Sequence, residues 1–416
     1  MKQILIALLL LSAIHTGYGQ QSPCEKTMEE SLKQMAEILN KPESRNLWNV
    51  ALNAPIIIID HVANKMYFTA IENGNVQPMK EEPWDNKVPI ANSTFEFNGK
   101  RYVTIVHMWL MNSSCEERIS LLAHEIFHLH QNSLGIQNFM STNFYMDETE
   151  GRTLLQMEMK ALQQALDGDV ESLQDALHIR AYRQNLYPNN NEDLFELSEG
   201  LAAYMGMKLS MDSILSYAKN RLNYDVNIGY TNTFGFATGT AYAILLDGLY
   251  PQWKQDKDLN KGMIFLLKKS NPEYDITVDS SHLNKLFDKF SYDKILCAEK
   301  EALKSFGDVV AFEALLKPET SKLSVMNNGI YITYNMNDRV IAFDNAVLLR
   351  NITLKGEWGE VKAENIVRLN DWSAFHLLPP KEINGAIIKG DGYEIQLNKG
   401  WKVVNADGIY KIEKGE

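Results

Sequence analysis

The feature that most constrains this chain is an uninterrupted segment between Ser114 and Gly135 that contains neither Gly nor Pro. Ser114 followed by Glu117 predicts a capping box, which satisfies the first free N–H groups of a helix. Apolar residues then recur every three or four positions, as they do along one face of an α-helix, at Ile119, Leu122, Ile126 and Leu129. The segment therefore predicts one amphipathic helix.

Two histidines on this predicted helix lie four residues apart and away from the apolar stripe. His124 and His128 would project from the same face, one turn apart, and Glu125 directly follows the first. Two imidazoles so placed can reach one metal ion, and a carboxylate one position round can accept a proton from a metal-bound water. The alternative is a solvent-facing histidine pair on an ordinary helix.

The N-terminal residues predict export from the cytoplasm. Lys2 precedes a short apolar run, and a small residue, Gly19, follows it. This order is typical of a secretory signal peptide, and the apolar part is too short to span a membrane. We therefore expect a signal peptide over residues 1–19, no transmembrane segment in the rest of the chain, and a periplasmic or secreted location.

Charge and cysteine content narrow the possible partners. A net charge of −12 argues against nucleic acid and against anionic membrane surfaces as partners. The three cysteines, Cys24, Cys115 and Cys297, allow at most one internal disulfide, whose pairing stays open. Their spacing does not suit a cysteine metal site. The sequence does not specify an oligomeric state.

Strand-like segments precede the histidine helix and helical segments follow it. The predicted strands are 55–59, 65–71 and 101–110, and the predicted helices are 25–40, 151–168, 171–186, 193–209, 236–248 and parts of 258–315. From residue 319 onward, short alternating runs between Gly-rich turns predict strands at 329–335, 339–344 and 393–397. We expect an α+β fold in which residues 20–318 form a mixed sheet and then mostly helices. Residues 319–416 would form a small all-β, sandwich-like domain.

A catalytic zinc site needs a third protein ligand, and two carboxylates compete for that place. Glu199 lies on a predicted helical face of Ala and Gly residues, which would let another helix approach closely. Glu158 lies in the middle of an apolar stripe, where an unpaired carboxylate would cost on the order of several kcal/mol. Its partner would be the metal, a ligand histidine or Arg152. A structural ion pair for Glu158, and an exposed position for Glu199, are the alternatives.

These residues resemble the motifs of the gluzincin zinc metallopeptidases. The pattern HEIFH (124–128) followed by SEGLAAY (198–204) is nearest to the aminopeptidases related to leukotriene hydrolase. The resemblance covers roughly residues 55–248. It implies a zincin-like catalytic domain, Zn²⁺ held by His124, His128 and Glu199, and a sheet edge that binds an extended peptide.

Two departures from the family pattern concern the ligands. The interval between His128 and Glu199 is long, so a helical pair over about 150–187 would be inserted and Glu158 stays open as the third ligand. No Asp follows Glu199 to orient a ligand histidine, and Glu196 or Glu158 is the candidate for that position.

Two further departures concern the substrate. The motif that holds a free substrate amine in the family is absent, so aminopeptidase activity is not supported. Phe236 stands where the family has an oxyanion-stabilising Tyr. The donor would then be Tyr230, Tyr242 or Tyr204, and losing one such donor typically lowers the rate by about 10²–10³.

The sequence thus supports two hypotheses. The first is an exported zinc metallopeptidase that hydrolyses peptide bonds of a peptide or protein substrate through a metal-bound water, with Glu125 as general base. The second is a catalytically inactive zincin-like scaffold that binds peptide or polysaccharide. Glu125 favours the first, because a scaffold needs no proton acceptor at that position.

Overall fold

The computed structural model describes residues 28–48, 50–85, 87–274 and 279–415. These residues form a mixed α/β structure with separate sheets and many helices, compatible with the expected α+β class. The predicted signal peptide and Cys24 lie outside the described residues. Cys115 and Cys297 are not joined by a disulfide. None of the described helices combines the length and the apolar character that a bilayer crossing requires.

The helices largely follow the predicted segments. Their bounds are α1 (Met28–Asn40), α2 (Pro42–Trp48), α3 (His107–Asn112), α4 (Cys115–His130), α5 (Thr149–Leu166), α6 (Val170–Leu186), α7 (Glu192–Phe195), α8 (Leu201–Ser210), α9 (Ile214–Arg221), α10 (Phe234–Leu249), α11 (Met263–Ser270), α12 (Ser280–Phe290), α13 (Tyr292–Leu303) and α14 (Val309–Ala314). A π-helical turn, Glu196–Gly200, joins α7 to α8. The single predicted helix over 193–209 is therefore interrupted by one wider turn.

The first sheet contains the strands β1 (Ala54–Asp60), β2 (Lys65–Glu72), β3 (Asn75–Val76), β4 (Lys80–Pro83), β5 (Ser93–Phe97) and β6 (Lys100–Val106). Its order is β3-β2-β1-β6-β5, with β4 also paired to β2. Only β1 and β6 run parallel, so the sheet is mixed, as expected. The predicted strand 101–110 is too long, because residues 107–112 form α3.

The isoleucine run of β1 is buried on both faces of this sheet. Ile56 and Ile58 belong to the large core under the helices, whereas Ile57 and Ile59 pack in a smaller cluster with Met66. A continuous apolar run, without polar alternation, is what burial on both faces requires. One sheet face therefore supports the helical layer that carries the histidines.

Helix α4 begins at the predicted capping box. Glu117 N donates to Ser114 Oγ at 3.2 Å, and Ser114 N donates to Glu117 Oε2 at 2.8 Å. The helix packs against α8, where a Cβ atom at Gly206 would lie 2.7 Å from Ser120 O. This contact confirms that small residues allow the two helices to approach closely.

The described residues after α14 form strands only: β7 (Lys322–Met326), β8 (Tyr331–Thr333), β9 (Ile341–Phe343), β10 (Ala346–Gly356), β11 (Gly359–Leu369), β12 (Ala374–Leu377), β13 (Glu382–Asn384), β14 (Ile387–Gly390), β15 (Tyr393–Leu397), β16 (Trp401–Ala406) and β17 (Ile409–Lys414). They enclose their own apolar core. Strand pairing connects them into one network, because β11 pairs with β15 at its beginning and with β12 at its end.

The β-rich region is tied to the helical region by a loop that precedes α10. Gly229 N donates to Asn337 O at 2.6 Å, and a Cβ atom at Gly229 would lie only 2.3 Å from Asp338 O. Arg339 also pairs with Glu299 of α13 at 3.0 Å. The β-rich region thus supports the start of α10, a helix that reaches the histidine cluster.

Candidate metal centre

Two histidines and one glutamate converge on a single point between α4 and α8. The Nε2 atoms of His124 and His128 lie 2.9 Å apart. Glu199 Oε2 lies 3.4 Å from the first and 3.3 Å from the second. The potential ligand atoms of the three residues all lie within 4.8 Å of one another, so the cluster can hold a metal ion.

Helix geometry and close packing bring these side chains together. His124 and His128 lie one turn apart on α4 and are only 6% and 8% exposed, so they are not a surface pair. Glu199 lies in the π-helical turn, a rare conformation that is frequent at functional sites. A Cβ atom at Gly200 would lie 2.8 Å from Gly239 Cα of α10. The turn that carries Glu199 is therefore pressed directly against α10.

The charges in the cluster favour a cation between them. Burial opposes ionisation of His128, but the carboxylate of Glu199 prevails and raises the pKa of His128 to about 9. Burial would also raise the pKa of Glu199, yet the two imidazoles hold this pKa well below its ordinary value. Glu199 Oε2 is buried and, apart from the two imidazoles, has no hydrogen-bond partner among the described residues. Such an atom is costly unless a proton or a metal ion occupies the point of convergence.

Gln131 orients one of the two histidines. Its Oε1 lies 2.8 Å from His128 Nδ1, and its Nε2 donates to Ser198 O at 2.6 Å. Because the amide N–H groups point to the Ser198 carbonyl, Oε1 faces His128 and places the proton on Nδ1. When the ring is neutral, as a metal ligand must be, Nε2 is the lone-pair nitrogen that faces the point of convergence. The sequence predicted Glu196 or Glu158 for this orienting role, and Gln131 was not predicted. The available signal was its spacing, because a residue three positions beyond His128 lies one helical turn away.

Glu125 lies beside the cluster and is buried. Burial raises its pKa; the imidazoles of His124 and His128 lower it, and the charge of Glu199 raises it further. These interactions place the carboxylate within electrostatic reach of all three candidate ligands. The net direction of its pKa is upward, and a carboxyl group with a raised pKa holds a proton more readily than an ordinary one.

Phe236 packs directly on a candidate ligand. Its ring stacks on that of His124, with centroids 5.6 Å apart and an interplanar angle of 11°. The phenyl ring has no group that can donate a hydrogen bond, so its contribution at this position is to hold the imidazole plane.

The three tyrosines predicted as oxyanion donors use their hydroxyls elsewhere. Tyr204 donates to Asp247 Oδ2 at 2.6 Å, and Tyr242 donates to Glu158 Oε1 at 2.6 Å. The hydroxyl oxygen of Tyr230 accepts from the backbone N–H of Asp225 at 2.8 Å. The structure therefore does not bring these hydroxyls to the cluster.

Glu158 belongs to a buried ion-pair network rather than to the cluster. Its carboxylate pairs with Arg183 at 2.5 Å and with Arg180 at 3.2 Å. The structural ion pair is thus the observed arrangement, but with α6 arginines instead of Arg152, which pairs with Asp147 and Glu299. Interaction with these partners explains how a carboxylate is tolerated in the apolar stripe of α5.

Glu196 belongs to the same network. Both of its carboxylate oxygens accept from Arg180 at 2.7 Å. Burial is the largest influence on this carboxyl group and raises its pKa to about 7, even though Arg180 acts in the opposite direction. Glu196 therefore anchors the π-helical turn to α6 and makes no contact with a ligand histidine that would orient it.

A small cleft opens beside His124. It has a cavity volume of about 70 Å³, which is room for a few water molecules or one small side chain. Its lining comes from α3, α4, α8, α9, α10 and the segment before β5, and includes His124, Phe236, Asn92, Tyr217 and Arg221. Helix α9 was not predicted from the sequence, because its eight residues are too few to show a clear apolar stripe. Ser213, which caps it, was the available signal.

Comparisons of the chain with protein-family models, with curated proteins and with solved structures found no match.

Proposed function

We propose that this protein is a zinc-dependent hydrolase of peptide bonds, with the metal held by His124, His128 and Glu199. The observation that carries the proposal is the convergence of two imidazole nitrogens on a buried carboxylate oxygen that has no other partner among the described residues. Two histidines and one glutamate are a ligand set of catalytic zinc, which leaves a fourth position open. Zn²⁺ also suits this mixed nitrogen and oxygen donor set.

When bound, zinc would supply Lewis acidity that acidifies water to a pKa of about 7 and polarises a carbonyl group. Glu125 would accept the proton of the attacking water and return it to the nitrogen of the leaving amine. Its raised pKa supports this double role, since a carboxyl group with an ordinary pKa is almost never protonated near neutral pH and so rarely holds a proton to return. Gln131 would keep His128 in one orientation throughout.

The position of the first sheet supports an extended peptide as substrate. β5 is an edge strand of that sheet and pairs only with β6 among the described strands. Asn92, which immediately precedes β5, lines the cleft beside His124 and accepts a hydrogen bond from Val106 N at 2.9 Å. An exposed strand edge offers backbone N–H and C=O groups to a peptide, which would add as a further strand.

A scaffold that binds peptide or polysaccharide without turnover is the second candidate. It is favoured by Phe236 at the place of an expected donor and by the engagement of Tyr204, Tyr230 and Tyr242 elsewhere. In the hydrolase, Tyr217, which lines the cleft, would stabilise the oxyanion in place of these three tyrosines. The two candidates differ in turnover and agree on metal binding.

Metal content and turnover test the proposal together. Purified protein should bind about one zinc per chain; Glu199→Gln should lose most of it, and the matched variant Glu158→Gln should retain it. Glu125→Gln should keep the zinc and lose hydrolysis of a mixed peptide substrate such as casein. Absence of zinc binding in the wild-type protein would refute the metal site. Zinc binding without hydrolysis of peptides in the wild type would favour the scaffold.

A further inference from the structure

We propose that Arg221 binds a carboxylate of the substrate beside the metal centre, so that the protein selects peptides with an anionic group close to the reacting bond. This inference rests on the proposed function, because it assigns the substrate class of the same site. Arg221 is the last residue of α9 and lines the cleft that also contains His124. Unlike His124, Arg221 stays positively charged throughout the pH range around neutrality.

The guanidinium of Arg221 lacks the partner that such a group normally has. Its Nε atom is buried without a hydrogen bond, and within the described residues Arg221 forms no ion pair. By contrast, Arg152 and Arg183, which are fully buried, pair with carboxylates, whereas Arg221 is half-buried and does not. A buried, unsatisfied donor on a charged group carries a cost in the free protein, and a bound anion would remove that cost.

Tyr217 holds the guanidinium in place. It lies one turn before Arg221 on α9, and the Arg221 Cζ atom lies 5.6 Å from the centre of the Tyr217 ring. A guanidinium against an aromatic face keeps its planar edge available for hydrogen bonds. The same helix therefore presents a cation and a hydroxyl to one cleft.

The remaining lining is compatible with an anion. The acidic residue in the cleft, Glu117, uses Oε2 to accept from Ser114 N at the start of α4. Asn92 and Ser120 are uncharged. The cleft volume of about 70 Å³ is sufficient for a carboxylate group. A carboxylate also matches the fork of an arginine, with which it forms two parallel hydrogen bonds.

Two sources of this carboxylate are chemically equivalent for Arg221: the free C-terminus of a peptide, and the side chain of Asp or Glu. Both are tested with three synthetic peptides that share one neutral core sequence. The first has a free C-terminal carboxylate, the second has an amidated C-terminus and one Glu side chain, and the third is amidated and neutral. Binding is measured by calorimetry on zinc-loaded Glu125→Gln protein, and cleavage is measured on the wild-type protein.

We expect one or both anionic peptides to bind at least tenfold more tightly than the neutral peptide. Arg221→Gln should abolish that preference. Lys219→Gln, which removes a cation of the same helix that pairs with Asp167 at 2.5 Å outside the cleft, should leave it unchanged. Which anionic peptide is preferred identifies the source of the carboxylate.

Equal affinity for all three peptides, or a preference that survives Arg221→Gln, would overturn the role of Arg221. Peptides cleaved at equal rates would leave the proposed hydrolase intact and remove only this inference. Conversely, an Arg221-dependent preference in binding without cleavage of any peptide would keep the anion site and remove the proposed hydrolase.

Discussion

Replacement of Gln131 by Met tests whether a single buried amide controls metal affinity. The amide connects the two elements that carry the candidate ligands, because Oε1 lies 2.8 Å from His128 Nδ1 and Nε2 donates to Ser198 O at 2.6 Å. Met has a similar length and no hydrogen-bonding group of comparable strength. The substitution therefore removes both hydrogen bonds with little change of volume.

Both losses have an expected size. Removing the partner of a metal-bound histidine typically lowers metal affinity about 10–100-fold, which corresponds to roughly 1.4–2.7 kcal/mol at 25 °C. The buried Ser198 carbonyl also loses a donor, which would lower the free energy of unfolding by about 1–3 kcal/mol. The affinity for zinc should thus fall measurably while the protein stays folded.

The assay is competition for zinc against a chromophoric chelator at constant pH, with the free energy of unfolding measured on the same samples. Gln163→Met is the matched control, because the Gln163 amide also joins two helical segments, donating to Lys219 O at 3.1 Å and to Asn223 Oδ1 at 2.8 Å, but lies outside the cluster. An unchanged zinc affinity in Gln131→Met, or an equal loss in both variants, would refute the orienting role.

Three further predictions follow from the same geometry. In the metal-free protein the pKa of His128 is raised from 6.5 to about 9, so its protonated form should stabilise the fold fully below pH 6.5 and lose that effect as the pH rises through 9. Zinc binding at pH 7 should therefore release about one proton, which calorimetry in buffers of different ionisation enthalpy would measure. Gly200→Ala should destabilise the fold by about 1–3 kcal/mol and weaken zinc binding, since the added Cβ atom would lie 2.7 Å from Gly235 O. The control is Gly248→Ala, whose Cβ atom would meet nothing within 4 Å; in urea denaturation it should be neutral or stabilising. Arg183→Met should lower the free energy of unfolding by about 3–5 kcal/mol, because it removes one of the two arginines that pair with the buried carboxylates of Glu158 and Glu192. The folded fraction should still bind one zinc per chain.

Local sequence patterns were sufficient to predict much of the frame of the site. Ser114 and Glu117 lie three residues apart and satisfy each other's backbone, so the beginning of α4 was predictable from the sequence. The spacing of His124 and His128 places them together on any helix, whatever surrounds it. The isoleucines of β1 indicated a buried strand in the same way.

Other parts of the site depend on contacts between distant segments. The role of Gln131 requires Ser198, 67 positions further along the chain, to face it. The choice between Glu199 and Glu158 depends on where Arg180 and Arg183 lie in the fold. Helical periodicity does not predict that position. Tyr217 and Arg221 lie on a helix of only eight residues, which is too short to show a clear apolar stripe.

The long interval between His128 and Glu199 has a structural role in this fold. Its helical pair, α5 and α6, carries the charged groups that hold the π-helical turn, because Arg180 binds both oxygens of Glu196. Glu196 precedes Glu199 by three positions, so the residues that fix one end of the turn also fix the direction of the candidate ligand at the other. From the opposite side, Gly200 lies directly against Gly239 of α10. The turn is therefore held between a buried ion pair and a close backbone contact. Restraint from both sides is what keeps this buried carboxylate oxygen at the point where the two imidazoles meet.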